Sequence, residues 1–539
     1  MADTLVRPRA PSRPGTRAPA AVPLAVAGFL LMLGVAAAAA FAGVTRVVQL
    51  PDWWGPWPVR RAGEFNGYVI VELVLLGSLC LLWTWVVQQV SGRTRANGAA
   101  DSDRADVRPG RRHVWGVGAT LATGAAWAAP FLVSGPVGSL DVQSYAAIGR
   151  LGALGLDPYR STVGVLGDRF SAAVDPLWRW TPTPYGPVQV QLLRGVAMLT
   201  GGSVGATVVL IRAVAVLAFA AALAVTLRVA APMDRVPVVV LTALNPVVLL
   251  HVVSGAHLDV LIGGLAIVVI ALSRREQHAT AMAVAVAACA IKLPGSVLMA
   301  FVVLDVLRRS PRPQRGSALA RTLGAGGAAL LAVVLLCPDP FGWVRALSVP
   351  GIVHNGIAPS TWAAYLVGAL TGHVDGPGLN AAFTVGRTAM GAVGVVAVLA
   401  LLVRATSGST RQAYHGVGWA LIALAVTGPA LYPWYLTWGL FAAALASGAR
   451  GRMVLVGLST VTCVAAALGQ GWLVFGVWVT VLLIVLGGAG WWAREAFAGR
   501  SPGQSARALI RHIRHGELLR DRLTTAHRRF TGRVQEDVT

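Results

Sequence analysis

Long uninterrupted apolar runs recur along the chain, most of them about twenty residues long, which as helices would span the hydrocarbon core of a bilayer. They are continuous blocks of Ala, Val, Leu and Gly, whereas a lipid-facing β-barrel needs strands of alternating polarity. The pattern predicts an all-α polytopic membrane protein with clear spans at 24–44, 68–90, 114–133, 204–228, 236–253, 259–272, 319–336, 380–404, 416–429, 434–446, 453–468 and 472–492.

Two further apolar segments, 279–291 and 295–307, are close to the lower length limit for a span. Lys292 and Pro294 separate them, so the pair is either a hairpin or a re-entrant element. Either arrangement keeps the number of crossings even. We therefore expect about 14 membrane segments, with both ends of the chain on the same side.

Composition and charge support this topology. Hydrophobic residues make up 55% of the chain and charged residues 12%, and the formal net charge is +23. With both ends inside, nearly all of this positive excess is cytoplasmic, as the positive-inside rule requires. A basic chain is also typical of nucleic-acid binding, but these arginines are spread over many inner loops. We therefore expect membrane lipids, and no nucleic acid, as partners.

Three regions follow from these boundaries. Residues 1–113 comprise a cytoplasmic N-terminus, a two-span hairpin and a basic inner linker; residues 114–493 form the transmembrane body, and 494–539 a basic cytoplasmic tail. The tail is either an interfacial helix on anionic lipid or a disordered segment. The cysteines have no paired spacing and predict neither disulfides nor a metal site; they are Cys80, Cys289, Cys337 and Cys463.

The segment 134–187 is polar and lies between spans, so the topology makes it a long first outer loop. Asp141, Tyr145 and Gly149 are spaced by four and share one face of a helix. A single exposed carboxylate at the start of such a loop is suited to act as a general base. It is also suited to cap the helix, which is the commoner role in this position.

Other polar residues of this loop compete with Asp141 for a functional role. Asp157 precedes Pro158 and is expected to open a turn. Arg150 and its neighbouring arginines can bind anions. Tryptophans of the loop suit the membrane interface or a sugar ring. The competing carboxylates and the aromatic residues are Asp157, Asp168, Asp175, Trp178 and Trp180.

A second outer turn carries two histidines and an aspartate. His251 and His257 are six apart, which is poor spacing for a shared metal on one helix, so we predict no metal site. His257 and Asp259 form either a polar pair that bonds a ligand or a cap for the following helix.

Lys292 is the only lysine of the chain and lies between two apolar segments. An unpaired ammonium in hydrocarbon costs several kcal/mol, so it needs a partner. A phosphate group, a carboxylate such as Asp305, or snorkelling to the interface would each satisfy it. Arg212 and Arg387, which interrupt apolar spans, are interpreted in the same way.

Aromatic residues cluster before the span at 434–446, as Tyr432, Trp434, Tyr435 and Trp438. An aromatic belt at the membrane interface produces such clusters, and a platform for a sugar or lipid is the alternative. Glycine-rich pieces lack the Gly-Lys-Ser/Thr of a phosphate loop, so no nucleotide site is predicted.

Six short motifs stand out between residues 114 and 492: Asp141 with Tyr145 and Gly149, Gly155-Leu156-Asp157-Pro158-Tyr159, Thr183-Pro184-Tyr185-Gly186-Pro187, Gly255-Ala256-His257-Leu258-Asp259, Lys292 with Pro294, and Pro433-Trp434-Tyr435. Through these motifs the chain resembles the actinobacterial polyprenyl-phosphomannose-dependent mannosyltransferases, the alpha-(1→6) enzymes of lipomannan and lipoarabinomannan assembly. It departs from their pattern at Leu258, where a polar residue is expected.

This resemblance implies the glycosyltransferase C-type fold, a catalytic carboxylate in the first outer loop, and an active site on the outer face of the plasma membrane. It implies a polyprenyl phosphomannose donor, a mannan or phosphatidylinositol-mannoside-type acceptor, and no cofactor. Asp141 is then the base of an inverting transfer. The substrate-binding candidates are Tyr145, Arg150, Asp157, Tyr159, Tyr185, His257, Asp259, Lys292, Trp434 and Tyr435.

Two alternatives remain at this point. A related transferase would use another polyprenyl-phosphate sugar, such as arabinose. A transporter or flippase of lipid-linked sugars would also need many helices and a polar cavity, but such proteins commonly contain internal repeats, and we find no convincing repeat here.

Overall fold

The computed structural model describes residues 21–41, 67–99, 116–373 and 375–467. This part of the chain is helical and contains no strand. The predicted span at 472–492, most of the inner linker and the basic tail lie outside it. The helices are α1 Ala21–Phe41, α2 Gly67–Ala99, α3 Val117–Val133, α4 Asp141–Ala153, α5 Arg169–Ala173, α6 Pro176–Arg179, α7 Pro187–Leu199, α8 Val204–Val229, α9 Pro232–Thr242, α10 Val260–Arg274, α11 His278–Ile291, α12 Gly295–Arg309, α13 Arg315–Leu336, α14 Pro359–Thr371, α15 Gly376–Thr406, α16 Thr410–Thr427, α17 Thr437–Ala446 and α18 Ala449–Ala467.

The prediction of a helical membrane protein is confirmed. Within the described ranges, six helical stretches are long and apolar enough to cross a bilayer. α3, α10 and α11 are shorter apolar helices. The six long stretches are Ala21–Phe41, Gly67–Ser91, Val204–Val229, Arg312–Leu336, Gly376–Thr406 and Ala449–Ala467.

One predicted span, 236–253, is broken in the structure. α9 ends at Thr242, and a π-helical turn follows over Val248–Ser254. Pro246 lies between them and has no N–H to continue the helix. Asn245 satisfies the freed backbone: its side chain accepts from the Val247 N–H at 2.9 Å and donates to the Leu241 carbonyl at 3.0 Å.

The doubtful pair at 279–291 and 295–307 forms two helices, α11 and α12, which pack on each other as a hairpin. The turn between them contains Lys292 and Pro294. It is tight, because a Cβ at Gly295 would overlap the backbone at Cys289. Lys292, the one charged residue of the turn, therefore lies at the end of the hairpin where the two helices meet.

In the segment 134–187, α4 packs against α7, which follows the segment directly. Gly149 faces the Leu193 carbonyl of α7 so closely that a Cβ would overlap it. Gly149 therefore permits the close packing of α4 against α7. A 3-10 helix over Val163–Leu166 and the short helices α5 and α6 fill the middle of the segment. Asp168 caps α5 and Asp175 caps α6 by accepting from backbone N–H groups.

Arg212 of α8 ties this segment to the π-helical turn. Its guanidinium donates to the carbonyls of Phe131 at 3.1 Å, Ser134 at 2.8 Å and Ser254 at 3.1 Å. The Ser254 hydroxyl in turn accepts from the Val137 N–H at 2.8 Å. The residues that precede Asp141 are therefore fixed to those that precede His257.

Candidate active site

A cavity of about 220 Å³ lies where the segment 134–187, the α11–α12 turn and the start of α17 meet. Asp141, Tyr185, Lys292 and Tyr435 line it, so the structure brings together four of the residues predicted from sequence. Apolar residues make up much of the remaining wall: Ile148, Pro158, Val163, Leu293, Leu347, Val349 and Leu424. The cavity therefore combines a few charged and hydroxyl groups with an extended apolar surface.

Asp141 is the first residue of α4, and its side chain is 19% exposed. The N-cap position is occupied by Leu140, whose side chain has no acceptor, so the predicted capping role of Asp141 is wrong. The carboxylate instead lines the cavity. Its position at a helix N-terminus favours the negative charge.

His257 lies behind Asp141 and is fully buried. Its Nε2 is 3.5 Å from the Asp141 carboxylate, and its Nδ1 is 2.7 Å from the His251 carbonyl oxygen. The preceding residue, Ala256, has a φ of +57°, a left-handed conformation that costs a non-glycine residue about 1–2 kcal/mol. The turn is thus held in a strained shape that directs His257 at Asp141.

Lys292 finds its partner in Asp259, at 2.7 Å, and not in Asp305. Trp438 donates to the same carboxylate oxygen at 2.6 Å. The ammonium also lies 4.5 Å from the ring centroid of Tyr435 and 5.3 Å from that of Tyr185, distances at which cation–π attraction acts. Lys292 is therefore neutralised from behind while it still faces the cavity.

Asp305 belongs to a separate cluster. It accepts from Ser273 at 2.7 Å and lies 3.4 Å from Arg274. Asp259 was predicted either to bond a ligand together with His257 or to cap the following helix. It occupies the N-cap position of α10, but its side chain makes no cap hydrogen bond and is instead the counter-ion of Lys292.

Tyr185 lines the same cavity as the two charged groups. Burial raises the pKa of its hydroxyl well above the usual value, and the charge of Asp141 adds to the effect. Tyr145 packs edge-on against it at 5.3 Å, and Tyr159 donates to its carbonyl at 3.0 Å. Tyr185 therefore remains a neutral hydrogen-bond donor at physiological pH.

Gly186 places Tyr185 next to Lys292. Its N–H donates to the Ile291 carbonyl at 2.9 Å, and a Cβ here would overlap the Ala290 carbonyl oxygen.

Gly186→Ala should lower thermal stability, since overpacking costs about 1–3 kcal/mol. Gly195→Ala is the matched control, because Gly195 lies in α7 with open space at its Cβ and should be neutral or stabilising. Equal melting temperatures for the two variants would contradict this packing role.

Trp434 is only 5% exposed. It is stacked between Tyr432 at 4.6 Å and His257 at 3.8 Å. Of the predicted aromatic platform, Tyr432, Tyr435 and Trp438 line the cavity, and Trp434 supports His257 from behind.

Other predicted residues lie away from the cavity lining. Arg150 pairs with Asp168 at 3.7 Å. Asp157 accepts from the Tyr159 N–H at 2.9 Å, which forms the predicted turn, and pairs with Arg160 at 3.3 Å.

Ser144 lines the cavity and was not predicted. Its signal was its spacing, three residues after Asp141 on the same helical face. The described ranges contain no group of three or more His, Cys, Asp or Glu side chains that could hold a metal ion.

Comparison with known families finds two matches. Residues 25–308 match the family described as alpha-(1→6)-mannopyranosyltransferase, N-terminal domain. Residues 360–494 match the MptB C-terminal domain. Together the two matches contain every residue that lines the cavity except the connection carrying Leu347 and Val349.

Similar curated proteins include two alpha-(1→6)-mannopyranosyltransferases. The chain is 31% identical to the A enzyme of Mycobacterium tuberculosis, over 63% of this chain and 67% of that protein. It is 25% identical to the B enzyme of Corynebacterium glutamicum, over 58% of this chain and 56% of that protein. The chain thus matches about two thirds or less of the length of these relatives. No solved structure matches it.

Proposed function

Because the chain belongs to the alpha-(1→6)-mannopyranosyltransferase family, we propose that it transfers mannose from polyprenyl phosphomannose to a mannan-type acceptor through an alpha-(1→6) linkage. One observation carries this proposal: Asp141 and Lys292 face the same cavity. A carboxylate and an ammonium in one site are the two charges that such a transfer uses, one for the incoming hydroxyl and one for the departing phosphate.

Asp141 removes the proton from the acceptor 6-hydroxyl as its oxygen attacks the anomeric carbon. The bond from that carbon to the phosphate oxygen breaks on the opposite face, so the anomeric configuration inverts. This direct displacement needs one carboxylate, whereas hydrolysis of a glycoside uses a pair. The neighbouring carboxylate, Asp259, is engaged by Lys292 and Trp438, which leaves Asp141 as the base.

Lys292 binds the donor phosphate and stabilises the second negative charge that the phosphate gains on departure. Asp259 holds the ammonium in place without covering its cavity side. Tyr185, as a neutral donor in the same cavity, is placed to bond the sugar or the phosphate. The apolar wall around Leu293, Leu347 and Leu424 suits the first isoprene units of a lipid carrier.

The fold proposed for this function is the glycosyltransferase C type with about 14 membrane segments. The proposed location is the plasma membrane, with both termini in the cytoplasm and the cavity at the outer face. The charge asymmetry of the loops supports this orientation.

The direct test is transfer in sealed right-side-out membrane vesicles that contain the protein. They receive polyprenyl phosphomannose in the bilayer and a water-soluble alpha-(1→6)-linked mannobiose outside. We expect a mannotriose whose new linkage is alpha-(1→6) by methylation analysis, and none from vesicles without the protein. A preference for a polyprenyl phosphoarabinose donor would overturn the assignment of the donor. Product that forms only after the vesicles are opened would overturn the orientation.

A further inference from the structure

The His257 ring has a fixed tautomer. Its Nδ1 lies 2.7 Å from the carbonyl oxygen of His251, which also accepts the backbone N–H of His257 at 3.0 Å. A carbonyl oxygen can only accept, so Nδ1 must carry a hydrogen. The nitrogen left to gain or lose a proton is therefore Nε2, the atom that faces Asp141.

Nε2 and the nearer carboxylate oxygen of Asp141 are 3.5 Å apart. This is longer than a normal hydrogen bond, and the buried Nε2 has no hydrogen-bond partner among the described residues, as expected for a resting pair with no proton on Nε2. With one shared proton, the contact becomes a charge-assisted hydrogen bond, and such bonds commonly tighten when substrate binds. The geometry thus favours a pair that carries one more proton after the reaction than before it.

Aromatic rings surround His257 and can stabilise a positive charge that arises there. The indole of Trp434 is stacked on the imidazole at 3.8 Å with an interplanar angle of 25°, and Tyr145 presents its ring at 6.0 Å. A cation over an indole face is stabilised by the ring electrons. His257 itself is fully buried, so it reaches the reactants only through Asp141.

On the basis of the proposed transfer, we propose that His257 is a positioning residue that stores the proton which Asp141 removes from the acceptor hydroxyl. The acceptor O–H bond breaks and a carboxyl O–H bond forms on Asp141. That proton then passes to Nε2, which leaves an imidazolium beside a regenerated carboxylate. The electrons of the broken bond from carbon to oxygen leave with the polyprenyl phosphate. The stored proton returns to water through Asp141 when the products depart.

Other ionisable groups surround this pair. The ring of His251 stands 6.0 Å from that of His257, and Arg212 donates to the Ser254 carbonyl on the same turn. On α4, burial raises the pKa of Tyr145 well above its usual value, so this phenol stays neutral. Beyond Tyr145, Lys292 and Asp259 neutralise each other at 2.7 Å. A single proton therefore dominates the change in charge at the pair.

The experiment is the pH dependence of kcat for mannose transfer, measured for the wild-type protein and for His257→Asn. Asparagine keeps an N–H donor for the His251 carbonyl but has no group that can take a proton at the Nε2 position. A proton already on the pair blocks the transfer, so the wild-type rate should fall towards acidic pH. In His257→Asn only a carboxyl group is left to take the proton, and carboxyl groups are stronger acids than imidazolium, so this acidic limb should move to lower pH and kcat should be lower.

His251→Asn is the matched control. It removes a neighbouring buried imidazole while the His251 main-chain carbonyl remains, so the acidic limb should stay where it is in the wild type. A limb that His257→Asn leaves unmoved would overturn the proton-storing role. If His257→Asn does not fold, His257→Gln takes its place, and an acidic limb that this variant leaves unmoved would also overturn the role. Neither result touches the proposed function, which fails only if the wild-type protein transfers no mannose.

Discussion

Asp141→Asn should abolish mannose transfer while leaving the protein folded. The amide has the same shape as the carboxylate and can donate to His257 Nε2, but it cannot take the proton of the acceptor hydroxyl. Loss of a general base typically costs about 10²–10⁴-fold in rate. The measurement is kcat with saturating donor, together with the donor-induced rise in melting temperature, which should be retained because the phosphate contact is intact.

Asp175→Asn is the control for this variant. Asp175 belongs to the same segment and caps α6 by accepting from the Leu177 N–H at 2.9 Å. Asparagine is an equally good cap, so stability and transfer should both match the wild type. Substantial activity in Asp141→Asn would remove Asp141 as the base, since the structure offers no second free carboxylate in the described lining of the cavity.

Lys292→Met should have two effects. It leaves the carboxylate of Asp259, which is 2% exposed, without its counter-ion. Removing one member of a buried pair costs about 3–5 kcal/mol, so the melting temperature should fall markedly. The apparent KM for the donor should rise about 10- to 100-fold, the value of a hydrogen bond to a charged group.

The double variant Asp259→Asn with Lys292→Met separates these effects. The amide oxygen introduced at position 259 can still accept from Trp438, and no charge is left unpaired. Stability should largely recover, whereas the donor KM should stay high because the cation is missing. Recovery of both quantities would mean that Lys292 serves the fold alone and does not bind phosphate.

Sequence alone identified the charged groups of the site because their surroundings are apolar. Lys292, between two hydrophobic segments, needed a partner wherever it lay. Asp141, at the start of a polar segment with Tyr145 one turn later, had the position of a surface carboxylate on a helix. The helices themselves followed from the length and continuity of the apolar runs.

The pairings inside the site were beyond the reach of sequence. His257 and Asp259 are two residues apart, and the sequence predicted that they bond one ligand as a pair or cap the following helix. In the structure the strained turn at Ala256 and the start of α10 send them to different partners, His257 to Asp141 and Asp259 to Lys292. Each partner is distant in the chain, so only the packing of several helices decides the match.

Contacts that only the folded structure decides also explain the other differences between the sequence predictions and the structure. Trp434 is a residue type that suits a sugar-binding platform, but the rings of His257 and Tyr432 stack on its two faces and cover it. Arg150 is one of several arginines able to bind an anion, and a local neighbour, Asp168, engages it. The span 236–253 had the hydropathy of one helix, yet Pro246 cannot continue a helical hydrogen-bond ladder.

The contacts of Arg212 bear on how the protein is made. They join α8 to carbonyls 81, 78 and 42 residues away, so they cannot form while each helix inserts into the bilayer on its own. Contacts of such long range assemble late, because their loop-closure entropy must be met first. Newly synthesised chains should therefore pass through an intermediate that is fully inserted in the membrane but inactive. Substitutions that weaken the packing of α8 should increase the amount of this intermediate without reducing membrane insertion.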